Sequence, residues 1–291
     1  MFAGILAGLA AGALWGLVFV APRMAAGFSS VDLTAGRFVA YGAVAAVVML
    51  LSRGRPRPTG RQALAASGMS LLGFTGYYLL LVLSIRDAGT EVPTLIIGTI
   101  PLWVMLLGKP KGLHFGALVP GLVLTAAGLA LMIGSPQVAG GHFARGVALA
   151  AASLACWTAF ALLNSKWMKM HPEVNATDWA NWLGIATGLG AVVLWAVAGS
   201  PLTELAARDG VGLFVLLCAA TGFGAAWLAT ILWNVASRRL SASLCGQLIV
   251  SETLFALAYS FAWDGRWPTP AQGAACVLFT LGILASIRAH R

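Results

Sequence analysis

Glu252 is the one acid that this 291-residue chain places near the centre of a long apolar run. A carboxylate at such a depth costs about 2.5 to 3.5 kcal/mol to insert into a bilayer, so it must face a cavity or a partner. It is either a ligand for a substrate amine or a titrating group, or it locks its own helix to a neighbour with the help of Ser251 or Gln247. Arg37 stands about five residues into a second run, near enough to its end to snorkel outward or to pair with Asp32. No other Lys or Arg approaches the middle of a run. A phosphorylated substrate, whose charge needs a basic cluster in a low-dielectric site, is therefore disfavoured. Aromatic side chains are the other resource, with 11 Trp in the chain. Trp15, Trp103, Trp157 and Trp227 lie deep in their runs, together with Tyr77 and Tyr78. Their ring faces attract an ammonium group, while indole N–H and phenol O–H groups meet a carboxylate. Trp15, Tyr78, Trp103, Trp157, Trp227 and Glu252 form the candidate substrate-binding set. Trp179, Trp182, Trp195, Trp263 and Trp267 fall near the ends of runs, where an interfacial belt is expected.

Other chemistry finds no footing. Cys156, Cys218, Cys245 and Cys276 sit singly inside apolar runs, and His114, His142, His171 and His290 are scattered through loops and ends. Neither set has metal-ligand spacing, no Ser-His-Asp constellation can be assembled, and no glycine loop cradles a phosphate. The expectation is a protein that is not an enzyme and uses neither metal nor cofactor.

These residues are carried by ten apolar runs, each about 17 to 25 residues long, near 3–22, 32–52, 63–86, 92–108, 113–135, 144–165, 177–198, 211–235, 244–263 and 270–288. About 20 residues at 1.5 Å rise cross a hydrocarbon core of roughly 30 Å, and a segment without water must satisfy its own backbone, so each run is read as a spanning helix. Composition agrees: 59% hydrophobic, 9% charged, mean hydropathy +0.88. The first run has no basic leader ahead of it and is read as retained. The net charge of +9 is unevenly placed. Arg53, Arg55, Arg57, Arg61, Lys109, Lys111, Lys166, Lys169, Arg238, Arg239, Arg288 and Arg291 fall on the side of both termini. Arg23, Arg37, Arg86, Arg145, Arg208 and Arg266 on the other side are offset by Asp32, Asp87, Glu91, Glu204, Asp209 and Asp264. Basic short loops stay in the cytoplasm, so both termini are expected there, and the charge reports topology rather than nucleic-acid binding.

Ten runs divide into residues 1–139 and 140–291, with Gly140-Gly141-His142 as the seam. Trp15 and Trp157 occupy similar segments, GLAAGALWGLVFVAPRM (8–24) and AAASLACWTAFALLNSK (150–166). Because five is odd, the second half must run inverted relative to the first, the arrangement of carriers that open a central site to alternate sides. The expected fold is an all-α membrane protein of ten transmembrane helices, two inverted five-helix repeats around a central cavity. Gly4, Gly8, Gly12 and Gly16 recur every four residues and give a smooth stripe for close packing or sliding. Gly12, Gly16 and the central Pro101 are the hinge candidates.

The pattern resembles the drug/metabolite transporter superfamily, in its ten-helix bacterial exporter branch with two EamA-like repeats. The likeness rests on Ala10-Ala11-Gly12-Ala13-Leu14-Trp15-Gly16, on Ala35-Gly36-Arg37-Phe38 and on Thr99-Ile100-Pro101. In the ninth run the family's Glu-Pro segment reads Ser251-Glu252-Thr253, without the proline. The resemblance implies a secondary transporter that exports amino acids, aromatic ones included, or related small metabolites across the bacterial inner membrane. Its partners would be that small molecule and the lipid bilayer. A multidrug exporter of lipophilic cations and a non-saturable channel are the alternatives.

Overall fold

The computed structural model describes the chain except residues 26, 53, 55, 89–90, 132–141, 266 and 291. All regular structure among the described residues is helical. In chain order the elements are α1 (Phe2–Gly16), α2 (Ala21–Met24), α3 (Ser30–Leu51), α4 (Gly60–Gly73), α5 (Thr75–Ala88), α6 (Glu91–Gly98), α7 (Ile100–Leu107) and α8 (Phe115–Leu131). They continue with α9 (Phe143–Met170), α10 (Ala176–Ala198), α11 (Leu202–Ala207), α12 (Val211–Thr221), α13 (Ala229–Arg239), α14 (Ala242–Asp264) and α15 (Pro270–Ala289). Seven helical stretches are long and apolar enough to cross a membrane, and residues 2–16, 96–107 and 115–131 form shorter apolar helices.

Side-chain oxygens set the helix starts, because each takes an N–H that the first turn leaves without a partner. Ser29 accepts from the Asp32 N–H at 3.0 Å, Asn175 from the Asp178 N–H at 2.8 Å and Ser241 from the Leu244 N–H at 3.1 Å. Thr59 with Gln62, and Thr269 with Gln272, close reciprocal capping boxes. Gly265, at φ 61°, ends α14 in the left-handed conformation that a side chain would oppose.

Four expected runs are interrupted. The first stops at Gly16 and continues as a 3-10 turn, Leu17–Phe19, before the short α2. The third breaks at Phe74, and the fourth at Thr99, just before Pro101 enters the first turn of α7. Proline has no N–H to give the carbonyl four residues back. The eighth run passes from α12 into a π-helical segment, Gly222–Leu228, and on into α13. Pro120, in contrast, sits inside a continuous α8. Of the expected seam, Gly140 and Gly141 lie outside the described residues.

Packing is built on backbone approach. A Cβ on Gly42 would lie 2.7 Å from the Gly188 Cα, which fixes α3 against α10. A Cβ on Gly12 would lie 2.2 Å from the Ser251 Oγ, and one on Gly16 2.9 Å from the Ala256 backbone nitrogen, so the glycine stripe of α1 lies flat on α14. Gly121 and Gly282 play this part between α8 and α15. Such contacts let dispersion act over a long seam where lipid gives no hydrophobic drive. The outer surface is apolar, with Leu50 81% and Val197 69% exposed, as a lipid-facing shell requires.

Two ends are defined by the contacts. Gly4 lies against Arg239 and Leu240, Gly108 against Ser243, and Ser286 near Met105, so both chain ends share one end of the bundle with the 108–114 and 239–243 connections. At the opposite end Asp32 accepts from the Ser200 N–H and Oγ, each at 2.7 Å, and Arg145 holds Asp87 in a two-point pair at 2.6 and 3.0 Å. Trp179 and Trp182 depart from the expected interfacial belt: they are 0% and 4% exposed. The reason is tertiary, since Trp179 stacks on Trp167 at 3.6 Å and donates its N–H to the Asn164 Oδ1 at 2.7 Å.

Candidate functional site

Trp15 near the end of α1 and Trp157 midway along α9 do not touch each other; both lean on Trp233 of α13, at ring separations of 5.5 and 6.2 Å. From Trp157 the rings continue to Phe160 (6.0 Å), Phe74 (5.4 Å) and Phe38 (5.8 Å), and from Phe38 to Tyr78 (6.4 Å). This unbroken aromatic wall joins α1, α13, α9, the α4–α5 break and α3. Its tilted and edge-on contacts are the arrangement that ring quadrupoles favour. The break at Phe74 has a role here, because it turns a ring into the wall that a straight helix would carry elsewhere.

Glu252, ten residues into α14 and so about 15 Å from that helix's start, is half-buried on the same level. Neither expected lock holds it. Ser251 donates to the Leu248 carbonyl at 2.6 Å, and Gln247 donates to Thr125 at 3.0 Å. Glu252 instead interacts electrostatically with Arg37 and Tyr77, without a hydrogen bond or ion pair among the described residues. Arg37 also departs from its expected anchor, for Asp32 is already taken by Ser29 and Ser200. Its guanidinium lies 4.7 Å from the centre of the Phe38 ring, turned into the bundle. Tyr78 donates to the Ser30 carbonyl at 2.8 Å.

The other candidates are placed apart. Trp227 lies in the π-helical segment, stacks on Phe223 and donates its N–H to the Asn181 Oδ1 at 2.8 Å. Trp103 is 47% exposed and makes no ring contact among the described residues. Gly12, Gly16 and Pro101 lie at the close seam and the helix break described above. Arg37, Tyr77 and Trp233 are neighbours the candidate set lacked. Orphan hydrogen-bonding groups point to two of them: the Arg37 Nε and the Trp233 Nε1 are buried without partners.

Towards the end that carries the termini, the wall rests on a polar layer. Asn164 donates to Asn234 at 3.1 Å, Asn234 donates to the Ala176 carbonyl at 3.3 Å, Ser165 to the Ser237 carbonyl at 3.3 Å, and Arg238 to the Val174 and His171 carbonyls. These bonds tie α9, α10 and α13 together. A separate apolar cleft of about 460 Å³ lies between the Leu17–Met24 stretch, α12 and α14. It is lined by none of the candidate residues. The described residues contain no group of three His, Cys, Asp or Glu fit to hold a metal ion.

Comparison with known proteins fits this architecture to a family. The profile of the EamA-like transporter family matches residues 2–134. Inner membrane protein YtfF of Escherichia coli (strain K12) is 30% identical, over 99% of this chain and 96% of that protein. The chain belongs to the EamA-like transporter family. A protein of known crystal structure, 19% identical, superimposes with a TM-score of 0.76 over 98% of both chains and shares the fold. As an EamA family member the protein is a membrane transporter of small molecules, and Trp15 and Trp157 pack against its core.

Proposed function

We propose that the protein is a secondary carrier that exports amino acids or related small metabolites across the bacterial inner membrane by alternating access. The carrying observation is the aromatic wall together with Glu252, a half-buried acid in a membrane-spanning helix with no hydrogen bond or ion pair to it among the described residues. Ring faces and a carboxylate suit an amine, and a wall sealed on one side suits a carrier.

The two-half arrangement is supported by the way the helices pair. Counting α4–α5, α6–α7 and α12–α13 as single rods and leaving aside the short α2 and α11, there are ten. Exchanging the first five for the second five maps α3 with α10, α7 with α14 and α8 with α15 onto themselves. It maps α1 on α14 to α9 on α6 and α7, and α1 on α13 to α9 on α5. The family profile's match also ends at residue 134, close to the proposed division into 1–139 and 140–291. The exchange fails where α13 packs on both α9 and α10, because α5 has no comparable contact with α1 or with α3. That asymmetry coincides with the polar layer, so the bundle is read as shut towards the termini and poised to open there when the other end closes. The basic connections beside the termini favour a cytoplasmic position for that end, and the relative's printed name supports the inner membrane.

Flux of labelled amino acids in proteoliposomes tests the reading. Saturable flux, reduced at least about tenfold by Trp157→Ala, is the expected result. Competition by lipophilic cations with no amino-acid flux would make the protein a drug carrier, and non-saturable flux would make it a channel.

A further inference from the structure

Arg37 is an oddity of charge placement. It sits seven residues into α3, about 10 Å from that helix's start, yet its side chain turns inward instead of reaching for the surface. Its nearest acid in sequence, Asp32, is saturated by two serines. Among the described residues no carboxylate lies within ion-pair distance of it and no group accepts from its Nε. Its guanidinium plane is steadied by the Phe38 ring, and Phe38 is in turn fixed by edge contacts to Phe74 and Tyr78. The backbone behind it is equally fixed: a Cβ on Gly222 would lie 2.7 Å from the Arg37 carbonyl oxygen. A guanidinium held in place with its Nε–H unspent is preorganised for a planar, two-oxygen acceptor. Glu252 interacts with it electrostatically, with no ion pair between them among the described residues.

We propose that Arg37 is a substrate-binding residue that takes a carboxylate, so that the transported molecule is a small zwitterion lying between Arg37 and Glu252 with its ammonium towards Glu252 and the Trp15–Trp233–Trp157 faces. This rests on the carrier reading above and narrows it. A lipophilic cation has nothing to offer Arg37 and is repelled by it, whereas an amino acid neutralises both ends of the site. A buried Nε–H without an acceptor is costly, and a substrate that pairs it recovers that cost only while bound.

The test uses the full-length protein and three probes, phenylalanine, leucine and threonine, each compared with its carboxamide, which keeps the amine and removes the carboxylate charge. Binding is read by quenching of the intrinsic tryptophan fluorescence, and transport by flux in proteoliposomes. At least one acid should bind about tenfold or more tightly than its amide, and Arg37→Gln should erase that preference while binding of the amide is kept. Arg37→Lys, which retains charge but not the two-point fork, should recover part of it. Equal binding of acid and amide by the unaltered protein, no binding of any probe, or a preference untouched in Arg37→Gln would each overturn the assignment. Amide binding retained by Arg37→Gln excludes simple misfolding; an Arg37→Gln protein that binds neither form while Arg37→Lys also fails counts against a specific carboxylate role. Acid-selective binding without flux would leave Arg37 in its role and sink the carrier reading, whereas flux without acid selectivity does the reverse.

Discussion

Glu252 and Arg37 are the two charges proposed to hold the substrate, and their separate roles can be dissected. If Glu252 receives the ammonium, Glu252→Gln should weaken an amino acid about tenfold in flux KM while leaving its deaminated acid unchanged, measured side by side in proteoliposomes. An equal loss for both molecules would make Glu252 a structural or coupling group instead. Much of this was legible in the sequence. A lone acid and single indoles within apolar runs announce themselves because their burial needs a reason, and Trp15 and Trp157 do converge, through Trp233. Trp233 and Arg37 were less legible, because near a run's end an indole or a guanidinium has an ordinary explanation at the interface. Only their contacts, with Trp15 and Trp157 for the one and with the Phe38 ring for the other, set them apart from that explanation.

Among the helices, hydropathy located the runs but was blind to their breaks. Phe74 ends α4 and the π-helical turn Gly222–Leu228 widens the eighth rod without altering the apolar composition that marks a span. Pro101 did signal its break, while Pro120 is absorbed by a continuous helix, so proline alone did not decide the matter. Glycine spacing was the more reliable guide. Every member of the α1 stripe abuts α14 or the turn before it, with Gly4 on Leu240, Gly8 on Leu248, Gly12 on Ser251 and Gly16 on Phe255 and Ala256. Gly42→Val should therefore lower thermal stability in detergent, by about 1–3 kcal/mol of overpacking, because the Gly188 backbone facing it has no side chain to move aside. Gly116→Ala, with open space around it, serves as the control and should leave the melting temperature unchanged or slightly raised.

Over the bundle, the polar layer of Asn164, Asn234, Ser165 and Arg238 acts as the closed end of the proposed chamber. Its neutral bonds are modest, about 0.5 to 1.5 kcal/mol each, with those from Arg238 about 1.5 to 3 kcal/mol, so that it can be released in parts. Asn234→Ala removes the bonds to Asn164 and Ala176, and should shift the population towards opening at the terminus-bearing end. The measurement that bears most directly on the account is labelling of Trp157→Cys by membrane-impermeant thiol reagents, in a protein whose Cys156, Cys218, Cys245 and Cys276 are replaced by alanine. The account predicts reaction from either face of the membrane, protection by a transported amino acid, and faster reaction from the terminus-bearing side when Asn234→Ala is added. Labelling only by lipid-soluble reagents, or from neither face, would contradict it.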